Sequence, residues 1–102
     1  MENTYEINAK IFKALGNSSR LKIINMLSQG EMCACSILRE FNFTQPTLSH
    51  HMNVLMECKL VVCRKDGVWS YYSLNTTNGN KLVLFLMNII TDTNDSIKEN
   101  CF

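Results

Sequence analysis

A mainly α fold carrying one β-hairpin is what three features of the chain predict. Apolar residues recur at helical spacing in four successive stretches before residue 59. β-Branched and aromatic runs then flank an Asp66-Gly67 pair, a strong short-range hairpin signal. A last, almost wholly apolar stretch at about 80–91 reads as a closing helix.

The first helix is predicted over Tyr5 to Leu15, where Ile7, Ile11, Phe12 and Leu15 share a face and Gly16-Asn17 ends the run. Ser18 or Ser19 is expected to cap the second, with Leu21, Ile24 and Leu27 facing inward, Ile23 and Met26 widening the stripe, and Gln29-Gly30 closing it. A third, short pattern covers roughly Cys35 to Phe41, and Asn42-Phe43 breaks it. Thr44 offers a side-chain oxygen to cap a fourth helix that has Pro46 in its first turn, where a missing N–H is tolerated. Val61 to Lys65 and Val68 to Leu74 are the two hairpin strands, Asn75 to Asn80 a polar turn, and the tail after Asp92 is polar.

A chain of 102 residues with a net charge of +1 reads as one domain without a basic arm. Charge is uneven, with Lys10, Lys13, Arg20 and Lys22 forming an acid-free run. Such a balance speaks against a non-specific nucleic-acid coat and leaves room for locally placed cations. The start has no basic segment followed by an apolar run, and the longest apolar stretch, Leu82 to Ile90, is too short for a membrane span. Five cysteines without a secretory signal point to free thiols in a reducing cytoplasm.

On the fourth helix Leu48, Met52 and Leu55 make the buried face. Ser49, His50 and Asn53 project from the other side, with Gln45 and Thr47 near the start. These side chains donate and accept hydrogen bonds and none is acidic. Entered through a short helix and a tight turn, this face suits a DNA major groove, about 12 Å wide; an ordinary solvated helix is the competing reading. A hairpin directly after such a helix is the wing of a winged helix-turn-helix. Arg64 and Lys65 beside its tip are candidates for phosphate or minor-groove contact, against a plain solvated turn. Alternate members of Trp69, Tyr71 and Tyr72 should cover the core.

The closing helix is apolar on nearly every side, and little chain remains to cover its outer face. A twofold homodimer would cover it and set two recognition helices ~34 Å apart, matching an inverted-repeat operator in double-stranded DNA; a buried core helix in a monomer is the alternative. The whole chain, 1–102, is then a single winged helix-turn-helix domain. Its helix-turn-helix lies at about 34–58, its wing at about 61–74 and its dimerisation helices at about 4–15 and 80–91.

KALGNSSRLKIINMLSQGEMCACSILREF, TQPTLSHHMNVL and VVCRKDGVWSYYSLN resemble the ArsR/SmtB family of metal-responsive repressors, in its arsenic-sensing branch. The likeness runs from about Ala9 to Asn75, and the Met-Cys-Ala-Cys and Thr-Gln-Pro-Thr-Leu-Ser-His-His segments carry it. It implies a homodimeric repressor that needs no cofactor to bind its operator and releases it when As(III) or Sb(III), as inducer, binds Cys33 and Cys35. It also implies that Gln45, Thr47, Ser49 and His50 face DNA, with Arg64 and Lys65 on the wing; Thr44 at the cap and Asn53 on the outer face complete the expected DNA-binding set.

Trivalent arsenic is a soft centre and thiolates are the soft ligands of a protein. Helical residues two apart diverge by about 200°, so joint ligation by Cys33 and Cys35 is expected to unwind or shift the front of the third helix. Some relatives carry a third cysteine where this chain has Leu38, so a three-thiolate site would borrow Cys58, Cys63 or Cys101, or use a small exogenous ligand. Cysteines preceding Cys33, as in cadmium- or lead-sensing relatives, are absent, and both histidines lie before the last helix, unlike zinc-sensing relatives. His50 is read as DNA-facing and His51 as a border residue with a satisfied ring. A repressor answering another thiophilic metal or thiol oxidation is the alternative of the same fold. A thiol oxidoreductase lacks its strand-to-helix context, and no Ser/His/Asp set or phosphate loop marks an enzyme.

Overall fold

The computed structural model describes residues 3–92. Its elements run α1 (Thr4–Leu15), α2 (Ser18–Leu27), β1 (Met32–Cys33), α3 (Ala34–Leu38), α4 (Gln45–Glu57), β2 (Val61–Asp66), β3 (Trp69–Leu74) and α5 (Thr76–Ile90). The core is one cluster in which Ile23, Leu27, Ile37, Leu48, Met52, Leu55 and Val61 are almost completely buried. The apolar face expected on α4 is therefore the face that closes the helix-turn-helix.

Local chemistry sets most boundaries. Asn3 and Glu6 form a reciprocal capping box at the start of α1. Asn17, not Ser18 or Ser19, caps α2 by accepting from the Arg20 N–H at 3.1 Å. Leu21 is 53% exposed, contrary to its expected inward position. Leu27 is buried as expected and, with Ile23 four residues before it, forms the inner stripe, while Ile24 is half-buried. Thr44 stands at the N-cap of α4 without a side-chain capping bond; its Oγ1 lies 3.3 Å from Thr47 Oγ1.

The end of α4 is a left-handed turn. Lys59 has φ +64°, the Lys59 N–H donates to the Met56 carbonyl and the Leu60 N–H to the Leu55 carbonyl, the paired bonds of a Schellman motif. Buried Leu60 then packs in the core with Leu55.

The sheet has order β1-β3-β2, antiparallel throughout. Asp66 pairs with Trp69, so the two loop residues are Gly67 and Val68, one place later than expected. Gly67 at φ +62° supplies the positive φ that such a tight loop needs at its first position. Strand β1 was not foreseen: two residues with no alternation of their own gain strand structure only by pairing with β3.

Asn75 to Asn80, expected as a turn, is the cap and first turn of α5. Asn75 accepts from the Asn78 N–H, and Asn78 Nδ2 donates to the Lys59 carbonyl at 2.8 Å, which docks the turn against the end of α4. On α5 only Leu82 is buried; Val83, Leu84, Met87, Ile89 and Ile90 are exposed. Phe85 meets Tyr5 and Phe12 of α1, with ring centroids 6.1 and 6.4 Å away, so α1 and α5 present one surface together. Among the described residues no helix is long and apolar enough to cross a membrane.

Candidate nucleic-acid interface and thiol site

The solvent side of α4 carries Gln45, Ser49, His50 and Asn53, all exposed, while Thr47 is half-buried and Thr44 exposed at the cap. His51 differs from its expected role. Its ring is 8% exposed against Phe43, and its Nδ1 is buried without a hydrogen-bond partner among the described residues. Burial first, then the charges of Arg20 and His50, hold its pKa below the ordinary 6.5, so the imidazole stays neutral.

The basic run divides. Lys10, Lys13, Arg20 and His50 line one cleft of about 460 Å³ beside α4. Lys22 turns away, donating to the Glu40 carbonyl and lying over the Phe41 ring. On the wing, Lys65 Nζ donates to Ser70 Oγ at 2.9 Å. Arg64 is held twice by Glu31, Nη2 to Oε1 at 2.8 Å and Nε to Oε2 at 3.1 Å, with its guanidinium over the Tyr71 ring. That pair lowers the Glu31 pKa, mainly through the hydrogen bond from Arg64.

The thiol pair departs from the expected geometry. Cys33 is not helical: at φ −69°, ψ 143° it is the extended N-cap of α3, and its sulfur accepts from the Cys35 N–H at 3.3 Å. The two Sγ atoms stand 2.7 Å apart. Two neighbouring sulfurs on an extended-to-helical junction already share a side, so no uncoiling is needed for one soft atom to meet both. The hydrogen bond from Cys35 Sγ, then the Cys35 backbone N–H, lowers the Cys33 pKa and favours its thiolate. The donor set fits a thiophilic centre and leaves part of its valence open.

The other cysteines are elsewhere. Cys63 pairs with Tyr72 across the ladder whereas Cys33 pairs with Tyr71, so their side chains leave opposite faces of the sheet. Cys58, its thiol pushed up by burial, lines the cleft between α1 and α5. Cys101 lies outside the described residues. Among the described residues no three His, Cys, Asp or Glu side chains gather as a metal set.

Cys33 and Cys35 open into a cleft of about 280 Å³ whose other walls include Leu38, Gln45, Leu48, Val68 and Trp69. Gln45 begins α4 and Trp69 begins β3, so the thiols, the recognition helix and the wing share one space. Sequence periodicity gave no sign of this, because the three segments meet only once the sheet forms.

A helix-turn-helix with a hairpin wing and a polar outer face on its second helix defines a winged-helix DNA-binding protein. The family profile described as bacterial regulatory protein, arsR family, matches residues 17–62. The arsenical resistance operon repressor of Staphylococcus aureus is 51% identical over 72 residues, covering 71% of this chain and 69% of that one. Its counterpart in Bacillus subtilis is 40% identical over 73 residues, covering 71% and 70%. An ArsR-like transcriptional regulator from Rhodococcus superposes with a TM-score of 0.74 at 28% identity, covering 84% of this chain and 81% of that one. The homodimeric winged helix-turn-helix DNA-binding domain of a Mycobacterium bovis protein gives 0.69 at 27% identity, covering 82% and 79%. The chain belongs to the arsR family of bacterial transcriptional regulators, a family of DNA-binding proteins and not of enzymes.

Proposed function

We propose that the chain represses an arsenical resistance operon: as a homodimer it binds an inverted-repeat operator and dissociates when As(III) or Sb(III) binds Cys33 and Cys35. The observation that carries this reading is the 2.7 Å approach of the two sulfurs in a cleft walled by Gln45 and Trp69. Repressors so named in two Staphylococcus species and in B. subtilis share about half to two-fifths of its residues over the matched region.

Gln45, Thr47, Ser49, His50 and Asn53 read the groove, with Thr44 at its edge, and Arg64 and Lys65 meet the backbone from the wing. The exposed apolar surface of α1 and α5 is the dimer seam, in keeping with the homodimeric state of the M. bovis domain. The protein works in the cytoplasm, where thiols stay reduced. An inducer seated on the thiols presses on the start of α4 and of β3 together, tilting the recognition helix against the wing. By linkage, DNA must weaken inducer binding by the factor with which inducer weakens DNA binding.

Gel-shift titration of an inverted-repeat DNA, with and without arsenite, tests this. Wild type should release DNA on arsenite under full reduction, and Cys33→Ser/Cys35→Ser should bind DNA and ignore arsenite. Release by the double variant would refute the site. The same sulfur proximity favours a second reading, a thiol-oxidation switch; release only under oxidant, and none by arsenite, would select it.

A further inference from the structure

Lys10, Lys13, Arg20 and Lys22 form a basic run that neither the polar face of α4 nor the wing uses. Folding sends Lys22 to the Glu40 carbonyl and gathers the others, with His50, around the cleft of about 460 Å³ between α1, α2 and α4. The α4 wall of that cleft is His50, Val54, Glu57 and Cys58, successive turns along one side of the helix. Glu57, the one carboxylate among the lining residues, lies about 10 Å along the axis from the exposed His50. Burial pushes the Cys58 thiol up, so it adds no negative charge. Arg20 is half-buried, and its Nε is buried with no hydrogen-bond partner among the described residues. A cationic donor left without an acceptor in the wall of a basic cleft is satisfied by an anion.

We propose that this cleft seats a backbone phosphate of the bound DNA, with Lys13 and Arg20 as its principal partners and Lys10 and His50 beside them. The occupant is a DNA phosphodiester rather than a free anion because the cleft runs, through His50, into the exposed polar face of α4. This rests on the reading of that face as the one that enters the groove. It gives α1 and α2, which lie outside both the helix-turn-helix and the wing, a hold of their own on the duplex.

A phosphate contact positions the protein without reading sequence. Lys13 is exposed, so Lys13→Gln should leave circular dichroism and sedimentation unchanged. It should weaken binding to an inverted-repeat duplex and to a mixed-sequence duplex by the same factor. On each, the dependence of log K on log salt should flatten by about one. Lys59→Gln, the same loss of charge just outside the cleft, should leave the slope as it is. Single methylphosphonate linkages, which remove one backbone charge, are then scanned along the inverted-repeat duplex. One position should weaken wild type and have no further effect on Lys13→Gln.

An equal slope in Lys13→Gln and wild type, an equal flattening by Lys59→Gln, or a scan without such a position overturns the proposal. Inorganic phosphate that binds the DNA-free protein and stays bound when DNA is added would make the cleft a free-anion site, and overturns it too. If Ser49→Ala/Asn53→Ala still lowers inverted-repeat affinity while Lys13→Gln changes nothing, the reading of α4 stands and only the cleft has failed. If neither variant alters binding, that reading has failed and the proposal with it.

Discussion

Arg64 on the wing is clamped by Glu31, whose carboxylate lies 2.8 Å from its Nη2, two residues ahead of Cys33. The wing cation proposed to meet a phosphate is thus neutralised by the segment that leads into the proposed thiol site. Both partners are largely exposed, and the pair contributes little to folding. In the proposed complex its weight falls on DNA binding, where Arg64 would leave Glu31 to contact a phosphate. Glu31→Gln should therefore tighten operator binding at low salt. Arg64→Ala should weaken binding and flatten the dependence of log K on log salt by about one, measured by fluorescence anisotropy. An unchanged slope would remove Arg64 from the interface.

The outer surface of α5 leads to a second expectation. Leu84 is 60% exposed in the middle of that surface and contributes little to the core of its own protomer. Leu84→Glu should yield a folded monomer in sedimentation equilibrium, with helical circular dichroism retained and inverted-repeat binding lost. A dimer that survives the charge would place the seam elsewhere.

His51 gives the fold a pH dependence of known sign. Its folded-state pKa lies below 6.5, chiefly through burial, so on acidification the unfolded chain takes up a proton that the fold resists. The stability linked to this ring is complete above pH 6.5 and declines as the pH falls toward the folded-state pKa. Urea midpoints should drop as the pH is lowered through 6.5, and His51→Gln should flatten that drop. An equal drop in the variant would assign the effect to other groups.

Lys59 sits at φ +64° in the Schellman turn that ends α4, a conformation disfavoured by its Cβ. The turn uses only its backbone, including the carbonyl that accepts from Asn78. Lys59→Gly should raise stability by about 0.5–1 kcal/mol, read as a higher urea midpoint at unchanged slope. A loss would mean that the lysine side chain contributes more than the strain it carries.

What could be read from the chain alone was whatever repeats locally. The spacing of Leu48, Met52 and Leu55 is enough to specify the inner face of α4 and hence its polar outer face. The apolar excess of residues 82–90 is enough to leave a surface wanting a partner. Tertiary structure decided what depends on distant pairing. Two residues, Met32 and Cys33, become a strand only because β3 has a free edge for them. That pairing holds Cys33 extended at the N-cap of α3, beside Cys35, rather than a helical step away from it. The same closure brings Gln45 and Trp69 to the thiols and sends Cys63 to the opposite face. Periodicity encodes which side of an element is apolar; which elements then share a cleft is set by hydrogen bonds between residues dozens of positions apart, which no local pattern carries.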